Sequence, residues 1–119
     1  MAKERQEVED MKSNPSKNRI RIKLHEQGPD RVLAAADEEC LGKKHAGGGR
    51  VLDLVKYASF YGEETVSAGE LAPHLSRCTS ANLVGEGACA AAIRMGLAQE
   101  RQVVKIGGVP HLQIYRKPG

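Results

Sequence analysis

TSANLVGEGACAAAIRMGL (residues 79–97), joined by AQERQ to VVKIGGVPHLQIYRK (residues 103–117), is the stretch on which the fold turns. Thr79, Ser80 and Asn82 read as a polar turn. From Gly87 onward, Ala88, Ala91, Ala92 and Met95 recur on one surface, which predicts a helix from Gly87 to Met95 with Gly96 as its C-terminal cap. Side chains this small let a helix lie close against a sheet, which accounts for the alanines without any cofactor. VVKI predicts a strand that breaks at Gly107 and Gly108 and resumes through VPHLQIYRK. Pro110 has no N–H for a ladder, so it belongs on an edge or a bulge. A bulge beside His111 and a helix entrance is a place to build a site, and equally a simple way to bend a strand.

Upstream, RIRIKL alternates with the period of a half-buried strand, Ile20, Ile22 and Leu24 inward and Arg19, Arg21 and Lys23 outward. Gly28, Pro29 and Asp30 supply a turn and RVLAAAD a second strand, which makes a hairpin with one basic face. The acids of DEEC make the next turn. LGKKHAGGGR then predicts a long loop, and VLDLVKYASFYGEETVS opens as a strand. Ser67 with Glu70 forms a capping box ahead of Ala68, Leu71, Ala72 and Leu75, although Pro73 argues for a short helix or a late start. These elements predict an α+β domain over residues 19–119, a mixed or antiparallel sheet with two helices packed on it.

The net charge of +3 is confined to the entry segment. Residues 1–23 hold seven Lys or Arg against four acids, while the remainder holds 11 of each. With few apolar residues before Ile20 and Ser13, Asn14, Pro15 and Ser16 at its centre, segment 1–18 is expected to be a flexible basic arm. Such an arm on a neutral body contacts phosphates, or serves only as a solvated tail. Three cysteines without CxxC spacing and a charged N-terminus without an apolar leader predict reduced thiols in a cytoplasmic protein. No apolar run approaches the roughly 18 to 20 residues that cross a bilayer, so no membrane partner is expected.

Two groups of residues are candidates for function. Lys43, Lys44 and Arg50 in the glycine-rich stretch, with Arg19, Arg21 and Lys23, suit phosphate contact. GxxxxGK[ST] order is missing, which excludes a nucleotide-triphosphate loop. Asn82, Glu86 and His111 would offer a carboxamide, a carboxylate, an imidazole and free helix amides to a small anion or a base edge, or to acid–base chemistry. Alternatively they are capping, turn and satisfied histidine residues. The scattered histidines and lone thiols suggest neither a metal site nor a cofactor. The leading expectation is a non-enzymatic RNA- or ribosome-associated protein, with a small-ligand protein or minor enzyme and a protein-interaction module as alternatives. With aromatics at 3%, RNA contact would be to backbone rather than to stacked bases.

FYGEE (residues 60–64), ANLVGE (81–86), RMGL (94–97) and IGGVPHLQ (106–113) occur in succession. In these motifs the chain, from about Ile20 to Gln113, resembles a family of small archaeal proteins known as domain of unknown function number four hundred and twenty-four. The resemblance implies a cytoplasmic α+β domain linked to translation or RNA, and carries over no catalytic residue.

Overall fold

The computed structural model describes residues 19–115; the arm expected over residues 1–18 lies outside them. Strand β1 (Ile20–Gln27) pairs antiparallel along its whole length with β2 (Asp30–Asp37). Their two-residue turn places Gly28 at φ +59°, a backbone that glycine adopts without a Cβ penalty. Two short strands follow, β3 (Lys44–Gly47) and β4 (Arg50–Asp53), then a 3-10 turn at Ala58–Tyr61 and β5 (Glu64–Val66). Helix α1 (Ala68–Arg77) leads into β6 (Ser80–Val84), helix α2 (Glu86–Arg94) follows, and β7 (Val104–Ile106) and β8 (Val109–Tyr115) close the chain. The main sheet has the order β5-β1-β2-β6-β8-β7, with β2 and β6 parallel and the other neighbours antiparallel. The expected α+β architecture, a mixed sheet with two helices, is what the chain builds.

Alternation along the strands separates two cores. Ile20, Ile22, Leu33, Ala35, Ala81, Leu83, Leu112 and Ile114 face the helices, where Leu71 and Leu75 of α1 and Ala88, Ala91 and Ala92 of α2 cover them. Ala34, Ala36 and Val84 face the other way, under Leu54 and Tyr61 from the segment that links β2 to β5. Both faces of the central strands are therefore buried, and β2 reads as the nearly unbroken apolar run expected of a strand covered on two sides.

α1 begins as expected. Ser67 Oγ accepts from Glu70 N and Glu70 Oε1 accepts from Ser67 N, a complete capping box. Ser67→Ala should therefore lower stability by about 1 kcal/mol, read as a shift in the urea midpoint with an unchanged m-value. The helix nevertheless runs ten residues through Pro73. Gly69, whose carbonyl loses its usual partner there, and Pro73 are both exposed, so solvent can serve that group.

Three local expectations are corrected. The long loop over LGKKHAGGGR contains a hairpin, because Gly48 and Gly49 take φ +60° and +79°, the paired positive values of a tight two-residue turn. Gly107 and Gly108, at +58° and +82°, likewise make a tight turn between β7 and β8 and not a bulge. The polar turn at Thr79–Asn82 is instead the start of β6, held by Thr79 N–H donating to the Arg31 carbonyl at 2.8 Å.

Candidate functional site

Parallel strands β2 and β6 end side by side where α2 begins, a location at which α/β proteins bind anions. Here the position is filled from within. Asp37, the last residue of β2 and 2% exposed, accepts from Gly87 N–H at 2.8 Å and from Ala88 N–H at 2.9 Å. These are the amides that an N-cap side chain ordinarily satisfies, and Gly85 at the N-cap has none to offer. Gly85 takes φ +99°, and a Cβ there would collide with the Asp37 carboxylate, 2.6 Å from Oδ2. VGEG is thus a socket for Asp37. Burial raises the Asp37 carboxyl above its ordinary value, against the two amides that lower it.

On the opposite side of the sheet from the helices, the β3–β4 hairpin is docked by glycine. A Cβ on Gly47 would stand 2.9 Å from Gly107 N, and one on Gly107 would stand 2.8 Å from Ala46 N. Backbone lies on backbone at this seam, which couples the GGG and IGGV motifs. His45 and Leu52 point inward from the hairpin; His45 Nε2–H donates to the Cys40 carbonyl at 3.1 Å, and Leu52 packs on the second core. Lys43, Lys44 and Arg50 are exposed, and Lys56 and Tyr57 just beyond β4 are exposed too, the lysine 5.4 Å over the tyrosine ring. Asp53 is the single acid between Lys43 and Tyr57. Its Oδ1 accepts from the Val55 and Lys56 amides, and the Lys56 amide is the main reason its carboxyl sits below the usual range. Only Lys44 approaches it among the hairpin's cations, at 4.0 Å.

The other predicted cations divide. Arg21 is committed within the fold, its Nε donating to Glu38 at 3.1 Å and its Nη1 to the Gly62 carbonyl at 3.1 Å. Arg19 donates to Thr65 Oγ1 at 3.3 Å, and Lys23 is exposed on the same face. That face is also the one on which the hairpin sits, at the far end of the sheet.

Asn82 and His111 stand on neighbouring strands and on one face, with Asn82 opposite Gln113 and His111 opposite Val84. The Asn82 Oδ1 accepts from the Tyr61 hydroxyl at 3.0 Å, and burial pushes that phenol to about 12. Burial first, and nearby Arg50 second, hold His111 below its ordinary value, so the imidazole is neutral at neutral pH. Glu86 opens on the other face, where it lines a cavity of about 330 Å³ with Cys89, Ile93, Glu100, Val103 and Pro110. The structure brings Asn82 and His111 to one surface and sets Glu86 on the opposite one. All three cysteines are buried. Burial raises the thiols of Cys40 to about 11 and Cys89 to about 12, which keeps both protonated and poorly nucleophilic.

Asp37, Tyr61 and Lys56 are the residues that sequence reasoning passed over. For Asp37 the available signal was an acid closing an apolar strand, but its partners lie 50 and 51 positions away.

Fold and site together define a small α+β domain, its mixed sheet covered by two helices on one face and by a glycine-docked hairpin segment on the other. The chain belongs to the family described as protein of unknown function (DUF424), whose pattern matches residues 25–116. Among solved structures it is similar to one described as an uncharacterized conserved protein from Methanopyrus kandleri. The two are 29% identical with a TM-score of 0.65, over 85% of this chain and 96% of that one. No curated protein matches the chain. Among the described residues no helix is long and apolar enough to cross a membrane.

Proposed function

We propose that this protein is a non-enzymatic, cytoplasmic RNA-binding protein that associates with ribosomal particles through phosphate contacts. The observation that supports the reading is the docked hairpin. It carries Lys43, Lys44 and Arg50, with Lys56 behind it, in exposed positions, and its nearby acid already serves its own turn. Cations fixed on a rigid support lose less entropy on meeting a phosphate than cations on a loose loop. Lys23 and Arg19 add cations at the far end of the same face, whereas Arg21 is engaged with Glu38. Tyr57 offers one ring, too little for a stacking platform, so the contacts are to backbone and the sequence preference is weak.

Binding through about three phosphates makes the affinity fall with salt, with a slope near −0.7 to −0.9 per contact in a double-logarithmic plot. The triple reversal Lys43→Glu, Lys44→Glu and Arg50→Glu should weaken binding to a labelled ribosomal RNA fragment at least tenfold near 0.1 M salt, and flatten the slope by about 2 to 3. The same variant should leave ribosomal particles when a native lysate is sedimented across a salt series. Unchanged association by a variant whose circular dichroism matches the parent would overturn the proposal.

A further inference from the structure

β5 faces β1 only at Ile20, Arg21 and Ile22, yet β1 continues to Gln27. From Lys23 onward β1 has β2 on one side and, among the described residues, no strand on the other. The register settles which groups are left open. Gln27 and Asp30 flank the two-residue turn and so form a hydrogen-bonded pair, as do His25 with Val32 and Lys23 with Ala34. The alternate residues turn their backbone outward. Ile20 and Ile22 meet β5 in this way, while Leu24 and Glu26 present N–H and C=O to an unoccupied edge.

That edge is shaped as well as open. A groove of about 400 Å³ runs along Ile22, Lys23 and Leu24, starting where Gly62 turns the chain away from β1. Gly62, at φ +72°, passes so close that a Cβ would stand 2.8 Å from the Ile22 carbonyl oxygen. On the helix side of the same edge lies a hollow of about 240 Å³, floored by Ile22, Leu24 and Leu33 and rimmed by Glu64, His74 and Arg77. Leu24, which the alternation of RIRIKL predicts to be buried, is 45% exposed because neither β5 nor α1 reaches it.

We propose that residues 24–27 of β1 are a strand-addition site for an extended peptide with the order basic, any, aliphatic. A strand running antiparallel to β1 along the line of β5 would exchange hydrogen bonds with Leu24 and Glu26. The residue opposite Leu24 points to the helix side and fills the apolar hollow. Charge complementarity sets the first position, a cation opposite Glu26, and the site ends at Leu24 because Gly62 lies against the Lys23 side chain. The Glu26 side chain is exposed and makes no hydrogen bond or ion pair among the described residues. A second copy of the chain is a poor occupant. Antiparallel pairing centred on His25 sets Leu24 against Glu26, centring on Glu26 sets acid against acid, and centring on Leu24 requires Ile22, which β5 already holds. Residues 24–27 lie at the opposite end of the sheet from the hairpin and include none of the cations assigned to RNA, so the peptide test is independent of RNA binding.

The probe is the amidated, fluorescein-labelled peptide Thr-Thr-Lys-Thr-Val with the full chain. Expected are saturable anisotropy and new hydrogen-exchange protection at the Leu24 and Glu26 amides, while Lys23 and His25, already bonded to β2, change little. The variant Glu26→Lys should bind this peptide about tenfold more weakly and recover the loss with Thr-Thr-Glu-Thr-Val. Absence of saturable binding, protection that falls elsewhere, or indifference to the charge swap would each overturn the proposal.

Discussion

Asp37→Ala should destabilise the fold by about 2 to 4 kcal/mol, because two helix amides are left without acceptors in a buried place. For a domain near 100 residues that corresponds to a fall in Tm of roughly 10 to 20 °C. Asp37 does at long range what a serine at the N-cap does locally, and it does so with a charge at the positive end of α2. Asp37→Asn should cost less, about 1 to 2 kcal/mol, since the amide keeps one acceptor and turns its NH₂ toward the other helix N–H. Acidity separates the two effects. The folded protein raises the Asp37 carboxyl above the ordinary value of 3.8, so it binds the proton more tightly than the unfolded chain does. The stabilisation associated with that proton is fully present below the unfolded value and is lost as pH rises through the folded one. Asparagine does not titrate. The gap between parent and Asp37→Asn should therefore be widest at the acid end of that window and narrow as pH rises, measured by urea unfolding at a series of pH values. A gap that widens instead would mean that the two amides outweigh the burial of the charge.

How far the sequence reveals this molecule depends on the range of the interaction involved. Ile20 and Ile22 are buried where the alternation of RIRIKL places them, and the Ser67–Glu70 box starts α1 where the motif predicts. Both signals live within a few residues. Leu24 breaks the alternation because burial depends on what lies across the sheet, and β5 stops short of it. The hairpin in LGKKHAGGGR is hidden by its composition. Its outward face carries Lys44, Ala46, Val51 and Asp53 and its inward face His45, Gly47, Arg50 and Leu52, so Leu52 is the one large apolar residue turned inward and no strand period shows. The helix amides that seemed free for a ligand are taken by a carboxylate from a strand that packs beside α2 only after folding. Arg21 likewise reads as a surface cation until Glu38 and the turn at Gly62 fold against it.

Gly107→Ala is expected to release the hairpin, and comparison with Gly108→Ala isolates that effect. Both glycines have positive φ, +58° and +82°, so alanine at either position carries the conformational cost of the left-handed region, about 1 kcal/mol. A Cβ at Gly108 meets nothing within 4 Å, whereas one at Gly107 meets Ala46 N at 2.8 Å and Ala46 O at 2.9 Å. Those are backbone atoms and cannot swing aside, so the hairpin must move. Gly107→Ala should thus cost about 2 to 3 kcal/mol against about 1 for Gly108→Ala, and only the former should speed hydrogen exchange across β3 and β4. His111 supplies a second readout. Its lowered value comes from burial and from Arg50, which the hairpin carries, so undocking should return the imidazole toward 6.5. While docked, a histidine held neutral contributes stability that is present above the unfolded value and lost as pH falls through the folded one; Gly107→Ala should abolish that acid-side loss. An NMR titration of His111 in both alanine variants distinguishes a displaced hairpin from a merely strained turn. If RNA binding rests on cations held in a fixed array, Gly107→Ala should also weaken RNA binding while keeping every charge, an effect that charge counting alone does not produce.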